Sequence, residues 1–268
     1  MTAPVTVART VRDHRRALLW WGLGIVAFVV LHLLVYPTVA DQGAEFDRLI
    51  ESYPEPLKAV FGLDEIDYAS PAGYLDSELF SFMGPLILLI FAVGQGAKAT
   101  AAQEESKRLD LLLANPISRV RLIAEKHGAA LGMTAFLCVV MLAALWIGTE
   151  AQDMDVGVVG IAAASVGVFL LAAVYGGLAL TIGALVGKKG VATGVASAAA
   201  VAAFLIHTLG RLASWLEPVR PLSPFYYYDR GNPLVDGLDL LGVGVLAAAA
   251  IVLWGLAGLA FDRRDLAG

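Results

Sequence analysis

The stretch VGVVGIAAASVGVFLLAAVYGGLALTIGALV, residues 156–186, carries no charged side chain over its whole length. A bilayer core needs about 20 consecutive apolar residues for each helix that crosses it. A soluble surface helix keeps a polar face toward water, and this run has none. It is too long for an upright span, so tilt, a kink near Gly176-Gly177 or extension past the lipid must absorb the excess. Five further runs qualify as spans: 18–36, 79–97, 128–148, 191–209 and 240–261. Hydrophobic residues make up 58% of the chain and charged residues 16%, where a soluble domain carries about 25% charged residues. The sequence therefore predicts an all-α integral membrane protein with six transmembrane helices, a single transmembrane domain over residues 1–268.

Orientation follows from Lys and Arg, which are enriched in cytoplasmic connections. With both termini inside, 14 of the 19 basic residues are cytoplasmic. They are Arg9, Arg12, Arg15 and Arg16 before the first span, and Lys98, Lys107, Arg108, Arg119, Arg121 and Lys126 between the second and third. Lys188 and Lys189 follow the fourth span, and Arg263 and Arg264 follow the sixth. Arg48, Lys58, Arg211, Arg220 and Arg230 fall outside. The expectation is a multi-pass protein of the plasma membrane with cytoplasmic termini. The apolar run from Leu18 exceeds the roughly 7–15 residues of a signal-peptide core, so it reads as a retained span despite Thr38-Val39-Ala40. The single cysteine, Cys138, excludes a disulfide within one chain and reads as a small packing residue.

Two external segments are substantial. Segment 40–78 holds ten acids (Asp41, Glu45, Asp47, Glu51, Glu55, Asp64, Glu65, Asp67, Asp76 and Glu78) and two bases. Its pattern FDRLIESYPEPLKAVF suggests short amphipathic helices lying over the outer mouth. The acids read as a solvated face obeying the orientation rule; attraction of cationic substrates is the alternative. Nothing in their spacing matches a calcium loop. Segment 211–239 contains Pro218, Pro221, Pro224 and Pro233, with Trp215 and Tyr226-Tyr227-Tyr228. Proline blocks a long helix and such aromatic rings favour the headgroup level, so short interfacial or re-entrant pieces are expected.

Chemistry within the spans is sparse. His32 and His207 are their ionisable residues, and no Asp or Glu falls in the middle of any span. Proton- or sodium-driven carriers depend on buried acids or unwound ion sites, so secondary transport is disfavoured. Each histidine reads as a hydrogen-bonding partner for a neighbouring helix or the interface, ahead of a proton relay. Gly183-x-x-x-Gly187 and Gly190-x-x-x-Gly194 fit close helix approach, and 196–203 is nearly a smooth alanine face. No metalloprotease, nucleophile-elbow or Cys/His metal pattern occurs. The run Gly183–Lys189 fails as a phosphate loop on spacing and on Lys189, where a Ser or Thr would hold magnesium. The chain carries no P-loop of its own, and no metal site or catalytic residue is assigned.

Between the second and third spans lies the charged segment 98–126, KATAAQEESKRLDLLLANPISRVRLIAEK, with six of the 19 basic residues. Glu104-Glu105 opens a helix, where acids suit the positive end of the dipole. Leu109, Leu112 and Leu113 form an apolar stripe at helical spacing, while Lys107, Arg108 and Asp110 fall largely on other faces. Pro116 stops the helix and biases Asn115 away from helical geometry. Ser118 can cap a second helix, whose apolar face is Val120, Ile123 and Ala124. A plain basic loop on lipid headgroups needs neither the leucine stripe nor the capped restart.

This segment resembles the one after the second span in type-2 ABC exporter permeases, which show paired acids, then GTLELLL, a Pro with a nearby Ser-Arg, and a closing Lys. The upstream PAGYL and GPL and the later LSPFYYY are also similar to that family, and the likeness covers nearly the whole chain with its six-span layout. One departure is Lys107-Arg108, where Gly-Thr is usual. The resemblance implies a permease subunit without catalysis of its own. Two permease chains, a homodimer if identical, form the pathway, and two separate P-loop ATPase subunits bind beneath. ATP and Mg belong to the partner, and this chain binds no cofactor and no nucleic acid. It implies that residues 5–16 form an amphipathic helix along the inner surface, against membrane lipid. It also implies that Glu104, Glu105, Arg108, Leu109, Leu112, Leu113, Asn115, Pro116, Arg119 and Arg121 belong to the coupling helix that meets the ATPase. The competing readings are an ATPase-driven membrane regulator or scaffold acting on an external partner, and an intramembrane lipid-modifying enzyme. Few polar groups line the spans, so an apolar or amphipathic substrate taken from the lipid or inner leaflet is expected.

Overall fold

The computed structural model describes residues 5–42, 48–54, 57–58, 70–101 and 119–263, and among these every regular element is helical. Among the described residues six helices are long and apolar enough to cross a membrane, and the protein is a multi-pass membrane protein. The first, α1, runs Val5–Asp41. The second span is built from α2 (Pro71–Leu75), a π-helical turn (Asp76–Phe80) and α3 (Met83–Ala99). Then come α4 (Arg119–Ala151), α5 (Val158–Val186) and α6 (Lys189–Leu209). A 3-10 turn (Glu217–Leu222), α7 (Pro224–Tyr228) and α8 (Pro233–Asp236) precede the last span, α9 (Leu240–Arg263).

The amphipathic N-terminal stretch is helical, but it is not a separate element. Residues 5–16 run straight into the first span, because nothing around Arg16-Ala17-Leu18 interrupts a helix. At 37 residues α1 is about 55 Å long at 1.5 Å per residue, well beyond a hydrocarbon core of about 30 Å. Of the segment between α1 and α2, residues 48–51 and 57–58 are helical.

The uncharged run quoted first becomes the hub. Helix α5 packs against α3, α4, α6 and α9, while α1 lies on α4 at the periphery. In the apolar windows of the spans, 61% of residues are buried in the second and fourth, against 22% in the fifth and 17% in the sixth. The second and fourth spans are therefore the core, and the others present faces to lipid or to another chain. Leu171, Tyr175 and Leu180 of α5 are buried, and so are Leu79, Leu88 and Phe91 of the second span.

Small residues make this contact possible. A Cβ on Gly96 would run into the Gly176 carbonyl oxygen, and one on Gly176 would meet the Ala92 carbonyl oxygen at 3.2 Å. Helix α5 is unbroken through Gly176-Gly177, so the glycine pair serves close approach of backbones. Thr181 Oγ1 lies 2.8 Å from both its own-helix Gly177 carbonyl and the Leu253 carbonyl of α9. Helix α5 ends at Gly187, whose φ of 69° is left-handed and whose N–H donates to Gly183 O; glycine takes that conformation without a Cβ clash. Ala192, Ala196 and Ala200 of α6 are buried, one per turn on the face toward α5.

Gly96→Ala is expected to cost about 1–3 kcal/mol by overpacking, seen as a lower midpoint of thermal unfolding in detergent. Gly94→Ala, with nothing within 4 Å of the added Cβ, should leave the midpoint unchanged or raise it.

Candidate functional site

The residues assigned to the coupling segment by sequence divide sharply. Glu104, Glu105, Arg108, Leu109, Leu112, Leu113, Asn115 and Pro116 lie outside the described residues. Arg119 is the first residue of α4. Arg121 pairs with Glu125 one turn on, Nε to Oε1 at 2.9 Å, with the arginine half exposed. Lys126 Nζ donates to Thr10 Oγ1 at 3.1 Å. This bond ties the start of α4 to the N-terminal part of α1.

At the opposite end of the bundle, polar chemistry collects around the π-helical turn. Ser70 caps α2 by accepting from Gly73 N at 3.1 Å, and Pro71 follows at the first helical position, where its missing N–H is harmless. The helix then widens: Ser81 N donates to Asp76 O at 2.7 Å, five residues back, the signature of a π-turn. Gly84 allows the chain to restart, since a Cβ there would strike Leu79 O.

Two clusters hang on this turn. On one side His32 of α1 is engaged at both nitrogens: Nδ1 donates to Phe28 O at 2.9 Å and Nε2 lies 3.5 Å from Glu78 Oε2. Tyr74 Oη donates to His32 O at 2.9 Å. On the other side Asp229, just past α7, lies with Oδ2 2.9 Å from His207 Nε2 and also pairs with Arg211. Asp76 stands within electrostatic reach of both Asp229 and Arg211. Tyr228 Oη donates to Phe80 O at 2.6 Å. Burial pushes the Tyr228 phenol well above its ordinary range, so it stays a protonated donor. Ser77 Oγ, His207 Nδ1 and Arg220 Nε are buried with no hydrogen-bond partner among the described residues.

Proline positions the cap as expected. Pro218, Pro224 and Pro233 each start a short helix. Ser223 accepts from Phe225 N at 3.2 Å and donates to Ala203 O at 2.8 Å, fastening α7 to α6. Rings continue inward from it: Phe82, Phe204 and Phe225 lie 5.4 Å apart in succession, and Tyr175 lies 5.9 Å from Phe225. Beneath the cap an apolar groove of about 330 Å³ runs between α3 and α6, lined by Phe82, Leu86, Val201, Phe204, Leu205 and Phe225.

Charge alone puts Asp76 and Glu78 among the acids of a solvated loop, and the structure corrects this by placing both in the second span. Ser70-Pro71 ahead of Ala-Gly-Tyr-Leu is a cap followed by a first-turn proline, the signal in the sequence that the helix begins before them. No group of three His, Cys, Asp or Glu among the described residues could hold a metal. The geometry offers hydrogen bonding and ion pairing at one end and an apolar groove below it.

The family described as multidrug efflux system permease Rv1217c, C-terminal domain, matches residues 4–262 of the chain. No curated protein matches it.

Tyr228→Phe removes the hydroxyl that donates to the Phe80 carbonyl. It should lower stability by about 1 kcal/mol, read from thermal unfolding. Asp229→Asn removes the carboxylate that pairs with Arg211 and His207; the Arg211–Asp229 pair is partly exposed and screened, so a loss of about 1 kcal/mol is again expected. The double variant tests coupling, since neighbouring groups give non-additive losses.

Proposed function

Because the chain belongs to the multidrug efflux permease family, we propose that it is the membrane subunit of an ATP-driven ABC exporter. It lacks a phosphate-binding loop, so energy must come from a separate P-loop ATPase, two copies of which bind beneath a pair of permease chains. The observation that carries this reading is the 98–126 segment, with its leucine stripe, proline break and basic restart between two spans. The excess of basic residues there orients the segment and both termini to the cytoplasm.

The mechanism is mechanical. Nucleotide binding closes the ATPase pair and displaces the two coupling segments. Each segment joins α3 to α4, and Lys126 links α4 to α1. The spans then switch between arrangements of the pathway. Pairing of two copies through α6 is supported by its low burial and by its outward Val191, Val195, Val201 and Leu205. A Cβ added at Gly190 or Gly194 would have nothing within 4 Å, which leaves room for a second helix to approach. Such pairing encloses the groove between α3 and α6, with the π-turn cap above it. The cargo is apolar or amphipathic, because the groove offers aromatic and aliphatic surface and few charges.

Co-expression with an ATPase encoded beside this chain, followed by reconstitution, tests the reading. Amphipathic solutes should stimulate ATP hydrolysis and accumulate across the bilayer. Hydrolysis without movement of any solute would instead favour a regulator acting on an external partner. Leu112→Asp should weaken co-purification with the ATPase about tenfold or more, since burying a leucine is worth about 1.5–3 kcal/mol. Arg119→Glu should act in the same direction, with membrane insertion of both variants unchanged; undiminished binding and transport would remove the assignment.

A further inference from the structure

A second cleft lies away from the groove under the cap, between α4, α5 and α9. Its volume is about 500 Å³, within the range of ligand pockets, and its walls include His127, Gly128, Leu131, Phe169, Ile251 and Trp254. Trp254 and Ile251 are 42% and 63% exposed, so the cleft opens sideways toward lipid. His127 lies about 12 Å along α4 from Arg119, eight residues on at 1.5 Å each. The cleft thus starts just inside the end of the bundle that carries the basic residues.

His127 is its one strongly polar group. The side chain is only 6% exposed, and Nδ1 has no hydrogen-bond partner among the described residues. Its ring stacks with Trp254, centroids 6.2 Å apart and planes 12° apart. Nδ1 is closed off from the cleft, so in the neutral ring protonated there Nε2 is the acceptor, and it is the nitrogen that remains open to a ligand. No Asp, Glu, Lys or Arg lines the cleft among the described residues. A cation would be buried there without a counterion, whereas an uncharged molecule with one N–H or O–H donor would satisfy the ring.

We propose that this cleft binds an uncharged aromatic amphiphile that reaches it from the lipid and donates a hydrogen bond to His127. The aromatic body packs on Phe169 and Trp254, which favour ring contacts. The proposal deepens the export reading, and rests on it for regarding the ligand as cargo.

N-phenyl-1-naphthylamine is a suitable probe, being neutral, aromatic and fluorescent, with one N–H. Its N-methylated form lacks the donor. With the full-length permease in nanodiscs, without ATPase or nucleotide, tryptophan-sensitised emission should report saturable binding. Trp254→Phe should reduce that emission more than Trp215→Phe. The N-methylated probe should bind about tenfold more weakly than the parent, as should the parent to His127→Leu; one hydrogen bond in an apolar site is worth about that factor. His127→Leu should bind both probes alike. Gly128→Leu should abolish binding of both, since a Cβ at that position has nothing within 4 Å and a larger side chain fills the cleft without disturbing the fold. Equal affinity of both probes for the unaltered protein, or unchanged binding in Gly128→Leu, overturns the proposal. So does a phospholipid, seen by native mass spectrometry, that the probe does not displace and that Gly128→Leu loses. These outcomes leave the ATPase-coupling tests untouched, and failure of coupling leaves the binding result standing.

Discussion

The close approach of α3 and α5 at Gly96 and Gly176 is the contact on which the rest of the fold depends. In lipid, helices gain nothing from hiding apolar surface, because the tails are as apolar as the side chains. Association then rests on dispersion between well-fitted surfaces and on hydrogen bonds across helices. Glycine and alanine at 92, 96, 97, 176 and 179 let two backbones meet, and Thr181 adds a polar tie to α9. With those two helices fixed, α4, α6 and α9 find their places around α5.

The same second span carries three functions at different depths. Its far end, widened into a π-turn, anchors the two polar clusters through Glu78, Asp76 and the Phe80 carbonyl. Its middle forms one wall of the groove toward α6. Its near end leads into the basic segment 98–126. Single π-turns of this kind occur inside α-helices frequently at functional sites.

Much of the fold is legible in the residues. Six spans drawn from hydropathy fall on the six long helices, and Pro218, Pro224 and Pro233 of 211–239 sit in the first turns of short helices, where proline is tolerated. The ends of the spans are less legible. Asp76 and Glu78 read as part of a solvated loop when charge is taken as the limit of the helix. In the structure Ser70 and Pro71 start it earlier, and His32 of α1 offsets the charge of Glu78 while Arg211, just past α6, offsets that of Asp76. His127 escapes a hydropathy reading for the same reason: α4 begins at Arg119, nine residues before the apolar run. His32 and His207 are legible as groups needing partners, but Glu78 and Asp229 come from distant parts of the chain.

What the sequence determined by itself was the number of spans, their approximate limits and the charged segment that interrupts them. Those depend only on the transfer of side chains between water and lipid. Which spans form the core, and which faces turn inward, was decided by tertiary structure alone. A span that is apolar all round carries no contrast between its lipid side and its protein side. The choice falls to small residues that let backbones touch and to single polar atoms that find partners on another helix. Neither can be assigned until the helices stand side by side.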